Sequence, residues 1–304
     1  MGLCKGLNIG LQSTSQCLIV LFVASCGGGG GGGTNAQSVV EPENGTGNSP
    51  PPTLQRWLTD QPDLFPDEYQ VHVIYAVPTD GVDNRFDVDG TLAASIGISN
   101  RFFRDASGAK EIRYDLAIDG SLDVTFVDLP NAGADYAREG VFAREAIQAD
   151  VLAAGFNDPR KVYLVYYDGR FDLPCGGAGP PIGTGDPVAV MYLRGSSCSN
   201  RYQFAQGAEP AGFWEWAAAH EVVHALGFVR TCSPNHNDFA VAHTGDTPRD
   251  LMYAGAQSWD PNTIDPGQDD YYGANVPPEC GYNLFLSAFL EPRDGDQLPE
   301  NFHH

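Results

Sequence analysis

His220 and His224 stand four residues apart in the run Trp214-Glu215-Trp216-Ala217-Ala218-Ala219-His220-Glu221-Val222-Val223-His224. On a helix this spacing puts both imidazoles on one face, about one turn apart, so both reach a single cation. Glu221 is rotated about 100° from His220 and flanks that cation without ligating it. A carboxylate in that position can take a proton from a water that a divalent metal has made acidic. The His-Glu-x-x-His pattern therefore predicts a zinc centre for peptide hydrolysis, with Glu221 as general base.

A catalytic zinc commonly has three protein ligands and leaves a fourth position to water. The chain after His224 must supply the third. His236 and His243 both lie in its turn-rich continuation, and one of the two is expected; spacing does not choose between them. Asp246 is a carboxylate alternative. Farther on, Asp265, Asp269 and Asp270 gather carboxylates in one loop. Oxygen donors of this kind suit calcium, which makes the loop a candidate calcium site without the spacing of an EF-hand.

The elements that must position these residues are also legible. Residues 71–77 form a short, β-branched apolar run ended by Pro78, which reads as a buried strand. Residues 90–104 are weakly helical. Residues 111–116 and 122–127 flank Asp119-Gly120 as a hairpin signal. Residues 136–154 read as one amphipathic helix, with Phe142, Ala146, Ala149 and Leu152 near one face. Two more strands are expected at 162–167 and 188–193. The strongest helix is 211–228: no glycine interrupts it between Phe213 and Leu226, and Gly227 suits its end. Apart from Glu215 and Glu221 it is apolar on every side, as a buried central helix is. A turn-rich segment with Pro234, Gly245, Pro248, Gly255, Pro261 and Pro266 follows. The fold class is α+β: a mixed twisted sheet with packed helices, a central His-Glu-x-x-His helix and an irregular C-terminal part.

The chain has 304 residues, with 39 acidic and 17 basic side chains and a net charge of −22. Phosphate binding needs a surplus of Lys and Arg, so nucleic acid is excluded as a partner. Residues 18–25 form an apolar run too short to span a bilayer but suited to a signal peptide. Val23-Ala24-Ser25-Cys26 resembles a bacterial lipobox, which makes Cys26 the lipidation site. Seven glycines, Gly27 to Gly33, and a polar stretch ending in Pro50-Pro51-Pro52 form a tether with no core-building composition. The expected layout is a lipoprotein signal peptide over 1–25, a lipidated cysteine and linker over 26–65, a catalytic domain over 66–292 and a tail over 293–304. Such a protein is exported, anchored to the cell envelope on the periplasmic or surface face of the outer membrane, and touches membrane through its lipid alone. Four cysteines then remain, Cys175, Cys198, Cys232 and Cys280, and an oxidising compartment predicts two disulfides with three connectivities open.

Taken together, residues 71–80, 162–169, 175–176, 220–227, 243–253 and 265–272 resemble a group of secreted bacterial metzincin-like zinc metalloproteases. The resemblance covers most of residues 71–280. Its specific elements are His220-Glu221-x-x-His224-x-x-Gly227 and a Met-turn in Asp250-Leu251-Met252-Tyr253. It implies that Met252 forms an apolar floor beneath the metal histidines and that Tyr253 hydrogen-bonds the tetrahedral intermediate. The extended metzincin signature places its third histidine where this chain has Arg230, which binds no metal. The expectation is a monomeric zinc endopeptidase acting on peptides or proteins. The alternative is an exported zinc-binding surface lipoprotein with the same fold and no turnover.

Overall fold

The computed structural model describes residues 55–179, 188–195, 198, 202–299 and 302. The expected signal peptide, lipobox and lipidated Cys26 lie outside the described residues. Four strands share one direction: β1 (Gln70–Val77), β3 (Val124–Asp128), β4 (Lys161–Tyr167) and β6 (Val188–Tyr192). A short fifth, β5 (Gly176–Gly177), pairs antiparallel with β6 at one edge, giving the order β3-β1-β4-β6-β5. A separate ribbon joins β2 (Glu111–Ile112) to β7 (Leu290–Glu291). The helices are α1 (Thr91–Ser107), α2 (Gly133–Arg138), α3 (Ala143–Ala153) and α4 (Phe213–Ala225). This is a mixed α+β fold. Among the described residues no helix is long and apolar enough to cross a membrane.

β1 and β4 are buried at every position because the parallel sheet is covered on both faces. Side chains alternate between those faces. Val71, Val73, Tyr75 and Val77 join the core under α1 and α4, while Ile74 and Ala76 join a second core under α2 and α3. α4 lies between the sheet and the irregular C-terminal part, which explains why its sequence is apolar all round. Glu215, fully buried, anchors its start. One oxygen accepts from the Ser95 hydroxyl (2.5 Å) and the Ala205 N–H (3.0 Å), and the other from the Gly212 N–H (3.0 Å). At the other end Gly227 takes φ +91°, which L side chains rarely adopt, and its N–H closes on the His224 carbonyl at 2.8 Å.

Several sequence expectations shift. The long helix over 136–154 is two pieces, because Gly140 (φ +58°) breaks it and a 3₁₀ turn, Gly140–Phe142, restarts it. The restart rotates the buried face to Ala143, Ile147 and Val151, and Phe142 is left 63% exposed. The hairpin at Asp119-Gly120 forms, with Gly120 at φ +83° and Leu116 opposite Leu122. Its arms then part: β2 leaves for β7, and β3 turns to pair parallel with β1.

Residues 55–65, read as linker, are packed on the domain. Trp57 bridges to Thr125 beside β3, and the Leu64 N–H meets the Leu116 carbonyl at 2.8 Å. Part of the expected tail is packed as well: Ser287 bridges to Gln297, and Phe302 is buried against Tyr69 and Phe289. Polar composition conceals such segments because backbone pairing and ion pairs, rather than apolar area, hold much of them. The disulfides are Cys175–Cys198 and Cys232–Cys280. The first fastens the segment that carries β5. The second ties the chain just after α4 to residue 280.

Candidate metal centre

α4 brings His220 and His224 onto one face with ring centroids 4.5 Å apart. The loop after it folds back and adds His243, whose ring is 5.1 Å from His220 and 4.6 Å from His224. The three rings form a nearly equilateral group whose ligand nitrogens lie within 4.8 Å of one another. The loop is held by backbone pairing: the Thr244 N–H donates to the Met252 carbonyl (2.9 Å) and the Ala254 N–H to the Thr244 carbonyl (3.0 Å).

Each ring is fixed through Nδ1. His220 donates to the Leu251 carbonyl (2.7 Å), His224 to the Phe228 carbonyl (2.7 Å) and His243 to the Val241 carbonyl (3.0 Å). A carbonyl only accepts, so each Nδ1 carries the proton and each neutral ring holds its lone pair on Nε2. His224 Nε2 and His243 Nε2 nevertheless stand 3.2 Å apart. Two facing lone pairs repel unless something positive lies between them. This contact fits the donor set to a cation, and backbone carbonyls that accept from Nδ1 in this way commonly orient metal-bound imidazoles.

Burial reinforces the arrangement. It pushes His220 down to about 3, with His243 adding to the effect, and pushes His224 well below the ordinary histidine range, with His220 and His243 contributing. His243 is lowered chiefly by burial too. The rings are therefore neutral at pH 7 and keep their lone pairs for a metal.

Glu221 leaves α4 beside the triad and points toward the sheet edge. A Cβ on Gly176 would stand 2.2 Å from its Oε1, so glycine here lets the carboxyl lie against β5 where a side chain would displace it. Its Oε2 is buried without a hydrogen-bond partner. Burial pushes its carboxyl up to about 8, and Arg144 pulls weakly the other way. A carboxylate so poised accepts a proton readily near neutral pH.

The other expected residues divide. Met252 is fully buried in the main core, and its turn supplies the Leu251 carbonyl that holds His220. Tyr253 is buried, and its hydroxyl accepts from the Gln257 N–H (3.2 Å) against Gly255. His236 stays out of the triad, with its backbone bridged to Thr244 and its Nδ1 3.5 Å from Asp238. Asp246 also stays out, grouping instead with Asp250 and Asp270. Asp265, Asp269 and Asp270 do come within ligand distance of one another. Burial pushes Asp250 up to about 8 and Asp270 up to about 6.

Two neighbours escaped the sequence. Trp259 stands edge-on to His220, 5.4 Å between centroids, and donates its indole N–H to the Asp250 carbonyl (3.2 Å). Gly176 is the close approach to Glu221. A tryptophan in a turn-rich acidic loop was the available signal for the first; the second lay in the 175–176 segment that carries the resemblance, which gave it no role.

No family model matches the chain, and no curated protein does. Solved structures similar to it include metalloproteinase-II from Bacteroides fragilis, 17% identical, with a TM-score of 0.34 over 72% of this chain and 56% of that one. Another is from a chaperone–substrate complex, 15% identical, with a TM-score of 0.28 over 56% of this chain and 25% of that one. The chain thus spans about half the length of the first and a quarter of the second. Likenesses this loose assign neither family nor activity, and the chemistry rests on the site itself.

Proposed function

We propose that the protein is a zinc-dependent endopeptidase. The observation that carries this reading is the convergence of three Nε2 lone pairs, with two of them in contact, beside a buried and half-unpartnered glutamate. His220, His224 and His243 would hold the ion. Zinc bound there would polarise a scissile carbonyl and acidify a water. Glu221 would take that water's proton and later deliver it to the departing amine, since the same carboxyl serves as base and then acid. A nearby divalent charge favours the carboxylate form of Glu221 at rest. Trp259 would form one apolar wall of the cleft. The Tyr253 hydroxyl accepts from Gln257 and keeps its own proton to donate, but no contact ties it to the triad, so no step is assigned to it.

Peptides or proteins are the proposed substrates of a monomeric enzyme. Export and lipid anchoring at Cys26 belong to the same proposal, supported by the signal-like N-terminus and by two disulfides, which persist in oxidising compartments.

The test joins metal analysis of the purified chain to hydrolysis of casein and a peptide library. One zinc per chain is expected, and it should be lost in His243→Ala but retained in His236→Ala. Glu221→Gln should keep the metal and lose hydrolysis by a factor on the order of 10²–10⁴. A Glu221→Gln enzyme as fast as its parent would refute the assignment of the base. Full zinc occupancy with no hydrolysis of any peptide would leave the zinc-binding surface protein in its place.

A further inference from the structure

Asp246, Asp250 and Asp270 present carboxylate oxygens within 4.8 Å of one another. Asp250 and Asp270 are buried, whereas Asp246 is exposed. Among the described residues no Lys, Arg or His forms an ion pair with any of them. Asp250 Oδ1 accepts from the Met252 N–H (2.7 Å) and the Tyr271 hydroxyl (2.7 Å). Asp250 Oδ2 is buried with no hydrogen-bond partner. Asp270 receives only neutral donors, the backbone and side-chain amides of Asn235, at 2.8 and 3.1 Å. In the same loop the Thr244 hydroxyl oxygen is also buried without a partner. Converging carboxylates buried without positive charge repel one another, and a bare buried anion is strongly unfavourable.

Asp265 offers an instructive contrast. Its carboxylate also approaches Asp269 and Asp270, but four backbone N–H groups, of residues 269 to 272, already surround it at 2.9–3.4 Å. That anion has its donors. Asp250 Oδ2 does not.

We propose that Asp246, Asp250 and Asp270 bind one calcium ion. All-oxygen, mostly anionic donors suit a hard cation that accepts irregular geometry, with backbone carbonyls and water completing its shell. Asp246 lines an open cleft of about 390 Å³ together with Asn235, His236 and Gly245, which gives an ion a route in. The ion joins the loop before the Met252 turn to the 265–272 segment. It thereby steadies the turn whose Leu251 carbonyl orients His220. The site stands on its own geometry and does not depend on what the triad binds.

The test strips the full chain of metal, restores one equivalent of zinc and titrates calcium by calorimetry, with ⁴⁵Ca²⁺ dialysis for stoichiometry and thermal melting in parallel. One calcium per chain is expected, with a Kd roughly in the 10⁻⁴–10⁻³ M range of extracellular modules, and a higher Tm when it binds. Magnesium should bind far more weakly, since it holds its waters and demands octahedral geometry. Asp246→Asn, at an exposed position that should fold normally, should weaken calcium at least about tenfold. Asp250→Asn should abolish the calcium-induced rise in Tm while melting no lower than the parent without calcium, because the amide keeps the acceptor for Met252 and Tyr271 and removes the lone charge. Absence of binding at millimolar calcium would overturn the proposal. So would binding that survives both variants, or binding lost in Asp269→Asn and unaffected by Asp246→Asn.

Discussion

Two groups of buried ionisable side chains lie in different halves of the chain, and they are solved differently. In the N-terminal half Asp60, His72, Asp115 and Asp123 come within ligand distance of one another, as a metal site would. The centre is already taken by Lys161, whose ammonium donates to Asp115 (2.7 Å), Asp63 (2.8 Å) and both oxygens of Asp60 (2.7 and 2.8 Å). His72 adds a 2.7 Å contact to Asp115. In the C-terminal half the histidine triad and the Asp250 group have no such side chain among the described residues. A buried cluster that carries its own counter-charge is a clamp. One whose converging lone pairs or carboxylates lack it suits a cation from solution.

The sharpest way to break this comparison is to remove the cation from each half. Chelation should abolish peptide hydrolysis and leave the sheet intact, because the triad sits at a helix end and a loop rather than between strands. Circular dichroism and a casein assay on one sample test both statements. Unfolding at the same chelator concentration would make the triad a clamp as well. The matching change in the other half is Lys161→Met, which leaves Asp115 buried without its cation. Breaking a buried pair in this way costs about 3–5 kcal/mol, to be read by urea unfolding. Zinc content at low temperature should not change. Loss of zinc without loss of stability would mean that the two clusters are coupled and the division is false.

A smaller effect tests how closely Glu221 is held. Gly176→Ala places a methyl 2.2 Å from Glu221 Oε1. The carboxylate must move, and a displacement near 1 Å at a reacting group costs roughly 10²-fold in rate. The expected result is full zinc occupancy with kcat reduced on that scale and stability little changed. An unaltered kcat would show that Glu221 has room to spare, which would weaken its role as a positioned base.

How much of this was legible follows from what kind of signal each feature leaves. His220, Glu221 and His224 were readable because one helix fixes their relative directions, and the apolar run around them fixed the helix. The choice of His243 over His236 was not readable. It depends on a loop whose path is set by the pairing of Thr244 with Met252 and Ala254, and no local pattern encodes that. The strands at β1, β4 and β6 announced themselves as apolar runs. The break at Gly140 was visible as a residue, but the helical pattern on both sides outweighed it. Arg56, Trp57 and Lys161 hold the segment before residue 66 to the domain, and charged residues far apart in sequence give no warning that they will meet.

The smallest expected effect is a pH dependence to which Asp115 of the N-terminal cluster contributes. Burial pushes the Asp115 carboxyl up, but His72 and Lys161 outweigh it and hold Asp115 below its ordinary 3.8. The groups facing it are His72, Lys161, Asp60, Asp63 and Asp123, of which Asp63 and Asp123 are raised by burial. With the folded value depressed, the folded state binds fewer protons than the unfolded one between the two values. The stability from Asp115 is therefore fully present above the unfolded value and is lost as pH falls through the folded one. Urea unfolding across the acid limb should show stability decreasing in that window. Asp115→Asn should flatten this part of the curve, whereas Glu221→Gln should leave it as it is. If Glu221→Gln flattened it instead, the acid sensitivity would lie in the metal centre, and the clamp would not be the element that low pH opens.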